Sequence, residues 1–468
     1  MKPLKLLPVL AVTLALCSCM NDVTFSSDAR CSLSFSQDTV SMDTVFTGVA
    51  SASKGFIVYN RNDAGLRFSV MLSGGQSGVF RINLDGLGGT RMDGLEIEAG
   101  DSMFCFVSVN IPESSAGTPF LESDSIAFLL ESGTVQYVRL MVCGQNAVRL
   151  RSYKVMSDET FTPALPYIVF DSLTVAENAC LTMQPGTRLF FHDGACLDVA
   201  GRVVAAGSKD SMVVMRGDRL DEVLDGLPYD LTDARWLGIR LRGGSFENRF
   251  EYCDIHGGCY GILADSSASD RVKFTMHSSM LHTVAGNCIE ATGSRIEVAN
   301  SQITNPGLAC ADLAGGASDF TFCTLADLSL WRQGTCAVLL SDRRDDVAVP
   351  FESASFNSCI ITGRHANEFS AGLPDTARYE IAHSLVMVSD TTGSHFRNVI
   401  FEDRRSELSG AANFTGNSRT GYGSVFTLDS LSHARGIADT VAVDWPLDLA
   451  GVPRPAVGAD AGCYQYYQ

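Results

Sequence analysis

The sequence predicts an all-β protein in which a β-sandwich precedes a right-handed parallel β-helix. Two patterns lead to this fold class. Between Leu33 and about Gly144, short alternating apolar runs are separated by Gly, Asn and Asp turns, which is typical of a sandwich. Beyond Arg149, three-residue apolar runs recur with a glycine every six to eight residues. Such short, regularly turning strands indicate a solenoid.

The N-terminus predicts export. Met1–Lys5 carries two positive charges, and Leu6–Leu16 is an almost unbroken apolar run that is too short to span a bilayer. The run closes with Leu16-Cys17-Ser18-Cys19, which resembles the lipobox of bacterial lipoproteins. The alternative is an ordinary signal peptide with two incidental cysteines.

The lipobox resemblance implies a signal peptide over residues 1–18, an acylated Cys19 and a tether over residues 19–30. Several acyl chains on one residue anchor a protein durably, whereas one chain binds only marginally. Met20 occupies the position where aspartate is associated with inner-membrane retention. The resemblance therefore implies an outer-membrane location, with the lipid as the contact to the membrane.

Charge and cysteine content exclude several classes of function. The 468 residues include 53 acidic and 35 basic side chains, a net charge of −18 that disfavours nucleic-acid partners. Of the 15 cysteines, the 13 beyond Cys19 show no CxxC spacing and no paired histidines. We therefore expect no metal site and no cofactor. Most cysteines lie at strand-like positions and are interpreted as buried packing residues, with a Cys253–Cys259 disulfide as the alternative.

Residues 31–146 form the predicted sandwich. The order of Asp43–Phe46, Phe56–Asn60 and Ile97–Asp101 resembles the Hydin-type immunoglobulin-like domains of exported bacterial proteins, which implies a spacer or interaction module. The alternating runs that predict its strands are Leu33–Phe35, Gly55–Tyr59, Leu66–Val70, Phe104–Val109, Ile126–Leu130 and Val135–Leu140.

Residues 147–468 contain the predicted β-helix. Six motifs end on an aliphatic residue at intervals of 26, 22, 22, 35 and 26 residues: Ile255, Leu281, Ile303, Leu325, Ile360 and Val386. A period near 22 suits one coil of three short strands, and the pattern resembles the pectate-lyase-like superfamily. Equivalent positions then stack from coil to coil. The interior column of small residues is predicted as Cys253, Ser279, Ser301, Cys323, Ser358 and Ser384.

Two further segments support the solenoid. Trp236–Ile239 and Tyr260–Ile262 resemble strand phrases of the same superfamily. Asp448–Arg454 and Gly458–Tyr464 resemble the terminal segment of exported bacterial β-helix proteins, and we expect them to cap the last coil, whose open edge would otherwise invite aggregation. A seven-bladed propeller is the competing fold, but its blades need about 40 residues each.

A recurrent triplet places Asp before Ser or Thr and then an aliphatic residue, Met or Thr. Residue frequencies alone predict about three occurrences. The triplet resembles the O-glycosylation acceptor triplet of Bacteroidota, and the alternative is that Asp-Ser/Thr opens turns before strands. It begins at Asp38, Asp43, Asp101, Asp124, Asp171, Asp210, Asp375, Asp390, Asp429 and Asp439.

Candidate ligand-binding residues come from loops. Arg343 and Arg344, and Arg404 and Arg405, lie in insertions of mixed charge that could line a glycan-binding surface with Trp331 as a stacking platform. Salt-bridged surface turns are the alternative.

Two other groups of residues carry less weight. The acidic stretch from Asp218 to Asp233 lacks a calcium-loop alternation and is expected to be a solvated insertion. His256, His277 and His282 have no nucleophile in a recognisable motif, so we expect outward or turn positions. His383 is assigned to a polar column with Asn300 and Asn357.

Three functions follow as alternatives. The leading one is a non-catalytic, membrane-anchored envelope lipoprotein whose β-helix binds a glycan or a partner surface. The second is a polysaccharide lyase or glycoside hydrolase, which requires two or three carboxylates on one sheet face with a basic residue within reach. The third is a structural or assembly component of the envelope.

Overall fold

The structure is a computed structural model that describes residues 24–74, 78–115, 117–224, 226–329, 336–416, 425–439 and 444–467. The chain divides into two compact units, the first ending at Asn146 and the second beginning at Ala147. Strands dominate both units, and the 3-10 helices of the described residues are Tyr229–Leu231 and Gly410–Asn413. The predicted all-β fold class is confirmed. Within the described ranges, no helix has the length and apolar character needed to cross a bilayer.

The first unit is a sandwich of two five-stranded sheets. One sheet contains Ser34–Phe35, Lys54–Tyr59, Phe80–Leu84, Leu87–Gly89 and Ser102–Val109. The other contains Thr39–Phe46, Leu66–Leu72, Arg91–Ile97, Phe120–Leu130 and Val135–Gln145. All pairings are antiparallel except that of Thr39–Phe46 with Val135–Gln145.

Alternation along the strands builds the sandwich core. In Leu66–Leu72 every second side chain is buried, which is the pattern of a strand with one face on the core. Phe56 of the first sheet and Phe128 of the second meet edge to face, with ring centroids 6.4 Å apart. The two sheets therefore share one apolar core.

The second unit is a parallel β-helix with three sheets, named A, B and C here. Sheets A and B share the bent strands Val148–Val155 and Tyr167–Val175. Sheet A continues with Cys196–Val199, Gly238–Leu241, Ile262–Ala264, Ile289–Thr292, Ala311–Ala314, Val338–Ser341 and Phe369–Gly372. Sheet B continues with Arg188–Phe191, Val213–Gly217, Cys253–His256, Met280–Val284, Gln302–Pro306, Thr324–Ala326, Ile360–Thr362, Leu385–Met387 and Ile400–Glu402.

Sheet C contains Glu159–Phe161, Cys180–Met183, Arg202–Ala206, Asn248–Glu251, Val272–His277, Arg295–Ala299, Gly316–Thr321, Phe351–Asn357, Tyr379–Ala382 and Phe396–Arg397. The chain visits the sheets in the order B, A, C, so that one coil contributes one strand to each. Among the described residues, three antiparallel hairpins lie outside the coils: Glu222–Leu224 with Leu227–Pro228, Arg343–Arg344 with Val347–Ala348, and Phe414–Gly416 with Val425–Leu428.

The predicted aliphatic column exists, with a shift in one coil. Ile361, not Ile360, stands in register with its neighbours, and Cys359, not Ser358, occupies the small-residue column. The coil before it is one residue longer than assumed, and a shift of one residue exchanges the inner and outer faces of a strand. Ile360 therefore faces outward. The observed column is Ile255, Leu281, Ile303, Leu325, Ile361 and Val386.

The turn from sheet C to sheet B explains this shift. From Tyr252 onward, one residue at each of these turns adopts a positive φ, including Asn300 at 50°, Ser358 at 56° and His383 at 50°. Ser358, rather than the predicted Asn357, therefore belongs to the column of His383. Asn and His are both enriched in this left-handed conformation, but Ser is not, so the sequence gives no signal at Ser358.

The thirteen cysteines of the described residues have free thiols. Cys253, Cys323 and Cys359 are fully buried in the interior column, as the packing interpretation predicts. Cys259 is only partly buried and is not bonded to Cys253.

The sequence predicts that the C-terminal segment caps the last coil of the β-helix. The structure instead places this segment along the side of the β-helix. It crosses the exterior of sheet B and the turns beside it. The contacts join Asp439 N to Ser358 Oγ at 3.0 Å, Arg454 Nη2 to Asn300 Oδ1 at 2.6 Å, and Tyr464 Oη to Gln302 Oε1 at 2.9 Å. The segment therefore covers an outer face that would otherwise be exposed.

Candidate functional site

The residues proposed from the sequence lie at different places. Cys19 and Trp331 fall outside the described residues. Arg404 lines a cavity of about 420 Å³ together with Arg364. Arg405 is exposed in a turn, where its main-chain N–H donates to Asp403 Oδ1 at 2.9 Å.

The paired arginines of the hairpin also separate. Arg343 is exposed and its guanidinium donates to the main-chain carbonyl of Asp346 within the hairpin. Arg344 instead reaches the exterior of sheet A and contacts Asp312. Arg343 and Arg344 therefore lie in different surroundings. Among the described residues, no contact joins Arg344 to Arg404.

Arg344 joins a pair of carboxylates. Glu290 and Asp312 stand in register on adjacent strands of sheet A. Arg344 donates to both oxygens of Asp312, Nη1 to Oδ2 at 2.7 Å and Nη2 to Oδ1 at 3.1 Å, and Nη1 is 4.0 Å from Glu290 Oε1. Asn287 Nδ2 donates to Glu290 Oε2 at 2.8 Å. Although burial opposes its charge, the contact with Asp312 raises the pKa of Arg344.

Ion pairs continue along the same exterior. Arg242 Nη2 lies 2.7 Å from Asp198 Oδ2, and Arg240 Nη2 lies 3.0 Å from Asp265 Oδ2. The Arg240 and Arg242 side chains remain 43% and 49% exposed, so ligands can reach them. We call this set the sheet A row: Asp198, Arg240, Arg242, Asp265, Glu290, Asp312 and Arg344.

An aromatic ring lies beside the sheet A row. Gly238, with φ at 129°, has no room for a side chain because a Cβ atom would lie 2.5 Å from the Tyr260 ring. The Tyr260 ring therefore lies against the backbone next to Arg240. Burial raises the pKa of Tyr260 to about 12, so its hydroxyl stays protonated at neutral pH.

A second group of charged residues lies on the exterior of sheet B. His256 Nδ1 is 2.8 Å from Asp254 Oδ1, and His256 Nε2 is 2.6 Å from Asp230 Oδ1. His282 Nε2 is 3.2 Å from the same oxygen of Asp254, and Arg216 Nη1 is 2.7 Å from Asp230 Oδ1. We call these five residues the histidine network.

The parallel register assembles this network. In Cys253–His256, Ile255 points inward, so Asp254 and His256 point outward. His282 stands one coil further in register with His256, and the two rings stack with centroids 4.8 Å apart. Asp230 comes from the 3-10 helix of the preceding insertion.

Electrostatics in the network follow from its carboxylates. His256 is almost fully buried, which disfavours its charge, but Asp254 and Asp230 outweigh burial and raise its pKa to about 9. Burial likewise opposes the charge of Asp254, yet His256 and His282 hold its pKa below the usual range.

The acidic insertion is therefore not simply solvated, in contrast to expectation. Asp230 returns to the sheet, and Asp218 Oδ2 accepts a hydrogen bond from, or donates one to, His192 Nδ1 at 2.6 Å. The Asp218 side chain is 8% exposed, and this burial raises its pKa. His277 lies elsewhere, on sheet C against the Trp445 ring at 5.0 Å.

A signal for the network exists in the sequence. Asp254 and His256 are separated by one residue, and His282 follows 26 residues later at the same position of the next motif. Because these strands pair in register, their outward-facing residues lie next to one another, as their inward-facing residues do. Nothing in the pattern announces Asp230.

Comparisons with known proteins give the following results. No protein-family model and no curated protein matches the chain. Among solved structures, a family 123 glycoside hydrolase from Clostridium perfringens matches with 10% identity and a TM-score of 0.19, covering 26% of this chain and 30% of that one. The catalytic domain of a GH87 α-1,3-glucanase in complex with nigerose matches with 8% identity and a TM-score of 0.20, covering 75% and 87%.

An ASH/PapD-like domain of a human protein matches with 10% identity and a TM-score of 0.18, covering 24% of this chain and 84% of that domain. This chain thus spans less than a third of the length of the family 123 hydrolase. Likeness at these TM-scores carries no argument about function.

Proposed function

We propose that this chain is a lipid-anchored protein of the bacterial cell envelope whose β-helix binds a glycan on the exterior of sheet A. The sheet A row is the observation that supports the binding surface. Its charges are paired and partly exposed, so they are held in place yet open to a ligand.

The chemistry of the row suits sugar hydroxyls. A carboxylate accepts and a guanidinium donates two hydrogen bonds in a plane, so adjacent hydroxyls of one sugar can contact both. Coils of a parallel sheet repeat at about 4.8 Å, a distance similar to the length of one sugar unit. Tyr260 adds an aromatic surface beside Arg240.

Binding is tested by affinity electrophoresis of the purified full-length protein through starch, pectin, alginate and peptidoglycan. We expect one polysaccharide to retard the wild-type protein. Arg344→Ala should weaken that retardation about tenfold or more, because hydrogen bonds from a charged donor are lost. Arg343→Ala, which changes the neighbouring exposed arginine, should leave it unchanged.

Equal weakening by both variants, or no retardation of the wild-type protein by any polysaccharide, would contradict binding at sheet A. The second result would favour the alternative of a structural or assembly component.

Anchoring is tested separately. Cells that express the wild-type chain and take up an alkyne-labelled fatty acid should yield labelled protein in the outer-membrane fraction. Cys19→Ala should lose the label and release soluble protein. Unchanged membrane retention of Cys19→Ala would refute the anchor.

Cleavage of the glycan is a second candidate function, favoured by the geometry of one pair. Glu290 and Asp312 are carboxylates on neighbouring strands with Arg344 within reach, which is the cluster that a lyase or hydrolase requires. Incubation with the same polysaccharides should then produce reducing ends or unsaturated products, and Glu290→Gln should abolish them. If both signals stay flat for the wild-type protein, it does not cleave these substrates.

A further inference from the structure

Three potential ligand atoms converge in the histidine network. Asp254 Oδ1 lies 2.8 Å from His256 Nδ1 and 3.2 Å from His282 Nε2. The ligand atoms of the three residues all lie within 4.8 Å of one another. Two imidazole nitrogens and a carboxylate oxygen form a donor set that suits Zn²⁺ and related divalent ions, whereas Ca²⁺ and Mg²⁺ prefer oxygen alone.

The outer nitrogens of both histidines have oxygen partners. His256 Nε2 contacts Asp230 Oδ1 at 2.6 Å, and His282 Nδ1 contacts Thr283 Oγ1 at 3.0 Å. Metal-bound histidines almost always donate their other N–H to a carboxylate or another oxygen, which fixes the ring and its tautomer. These contacts point the two remaining nitrogens at Asp254.

The fold holds the three residues in place. Asp254 and His256 belong to one strand and His282 to the next, with stacked rings and in-register pairing. Side chains on paired strands of a solenoid vary little in position, which is the support that a metal site needs. The His282 and Asp254 side chains are 20% and 23% exposed, so an ion can enter from solvent.

We propose that Asp254, His256 and His282 bind one divalent transition-metal ion, with Zn²⁺ as the best match. Asp230 and Thr283 orient the two imidazoles. Three protein ligands leave a further coordination position for water or for a ligand group. The cysteine and histidine spacing of the sequence predicts no metal site, whereas the structure brings His282 of one coil to Asp254 and His256 of the preceding coil.

The test uses the purified full-length protein after treatment with EDTA and removal of the chelator. Titration with Zn²⁺ in a calorimeter should show one ion bound per chain. Co²⁺ should give an intense visible absorption band, typical of a site with low coordination number. His282→Ala should weaken Zn²⁺ binding about 100-fold or more and remove the band.

His192→Ala is the matched control, since it changes another outward histidine that is paired with an aspartate. It should leave binding unchanged. Asp230→Asn keeps all three ligands and should weaken binding about 10- to 100-fold, so it tests the site even if His282→Ala does not fold.

The competing structure is an imidazolium of His256 held between two carboxylates without a metal. It predicts no stoichiometric Zn²⁺ binding, no intense Co²⁺ band, or equal binding by the wild-type protein and His282→Ala. Any of these results overturns the proposal, and none of them bears on glycan binding at sheet A.

Discussion

The exteriors of sheets A and B differ although both belong to the same coils. On sheet A the Arg240 and Arg242 side chains remain nearly half exposed. On sheet B, Ile360 and Leu385 also face outward, yet they are fully buried beneath Phe414 and Phe426. The difference teaches that the chain's own C-terminal segment covers part of sheet B, whereas the sheet A row stays open to solvent.

Contacts within the covering segment hold its path along sheet B. Asp448 Oδ1 accepts from Val452 N at 2.6 Å, and Asp460 Oδ2 accepts from Tyr466 N at 2.7 Å. Gly462 adopts φ of 87°, and a Cβ atom there would lie 2.6 Å from the Ile360 side chain. The covering segment therefore has a shape that fits against sheet B.

Arg454→Ala should have the largest effect on the covered face. Arg454 is buried, donates to Asn300 Oδ1 at 2.6 Å and lies 4.2 Å above the centre of the Phe322 ring. Losing these contacts should lower the free energy of unfolding by about 3 kcal/mol. Thermal unfolding and limited proteolysis of the C-terminal segment measure the effect.

Arg435→Ala is the control for Arg454→Ala. Arg435 is exposed and lies 4.0 Å above the Tyr466 ring, so we expect a loss below about 1 kcal/mol. If both variants lost a similar free energy of unfolding, the buried contacts of Arg454 would contribute no more than the exposed contact of Arg435. The covering segment would then be held loosely.

A pH dependence should follow from a carboxylate at the end of a sheet B strand. Burial raises the pKa of Asp327 to about 6, while an unfolded Asp titrates near 3.9. Asp327 therefore binds more protons in the folded state between these values, and its contribution to stability should fall as the pH rises from 4 to 7. Asp327→Asn should reduce this fall by about 2 to 3 kcal/mol. Melting temperatures of both proteins across this range measure it, and parallel curves would contradict it.

Sequence patterns predicted the repeats better than the surfaces. The aliphatic column was placed correctly at Ile255, Leu281, Ile303, Leu325 and Val386, because burial repeats with each coil. Its error at Ile360 arose from one extra residue in a long coil, which no apolar pattern marks.

The candidate sites were less predictable, because they depend on contacts between distant parts of the chain. Arg344 was recognised as a candidate, but its partners Glu290 and Asp312 lie 54 and 32 positions earlier. The sequence predicts outward or turn positions for His256 and His282, but only the strand register shows that they are paired. Asp230 reaches them from an insertion whose path follows no repeat.

Two threonines provide a matched pair for the two faces. Thr324 on sheet B is buried and its Oγ1 accepts from Cys463 N at 3.1 Å. Thr324→Val leaves that buried N–H without a partner and should cost about 1 to 2 kcal/mol. Thr292 on sheet A accepts a long contact of 3.3 Å from Arg344 Nε, and Thr292→Val should cost less than about 0.5 kcal/mol. A larger loss in Thr292→Val would reverse the comparison.

A small effect on stability is also expected from Arg344→Ala on sheet A. Its ion pair with Asp312 is partly exposed, with side chains 22% and 17% accessible, and pairs near a surface contribute about 0 to 1 kcal/mol. Chemical denaturation should therefore give nearly the same midpoint as the wild-type protein, even while glycan binding falls. A large loss of stability would mean that the Arg344–Asp312 ion pair holds the Arg343–Ala348 hairpin in place and is not available to a ligand. The sheet A row would then resemble the buried contacts beneath the C-terminal segment, and the proposed contrast between the covered part of sheet B and the binding surface of sheet A would fail.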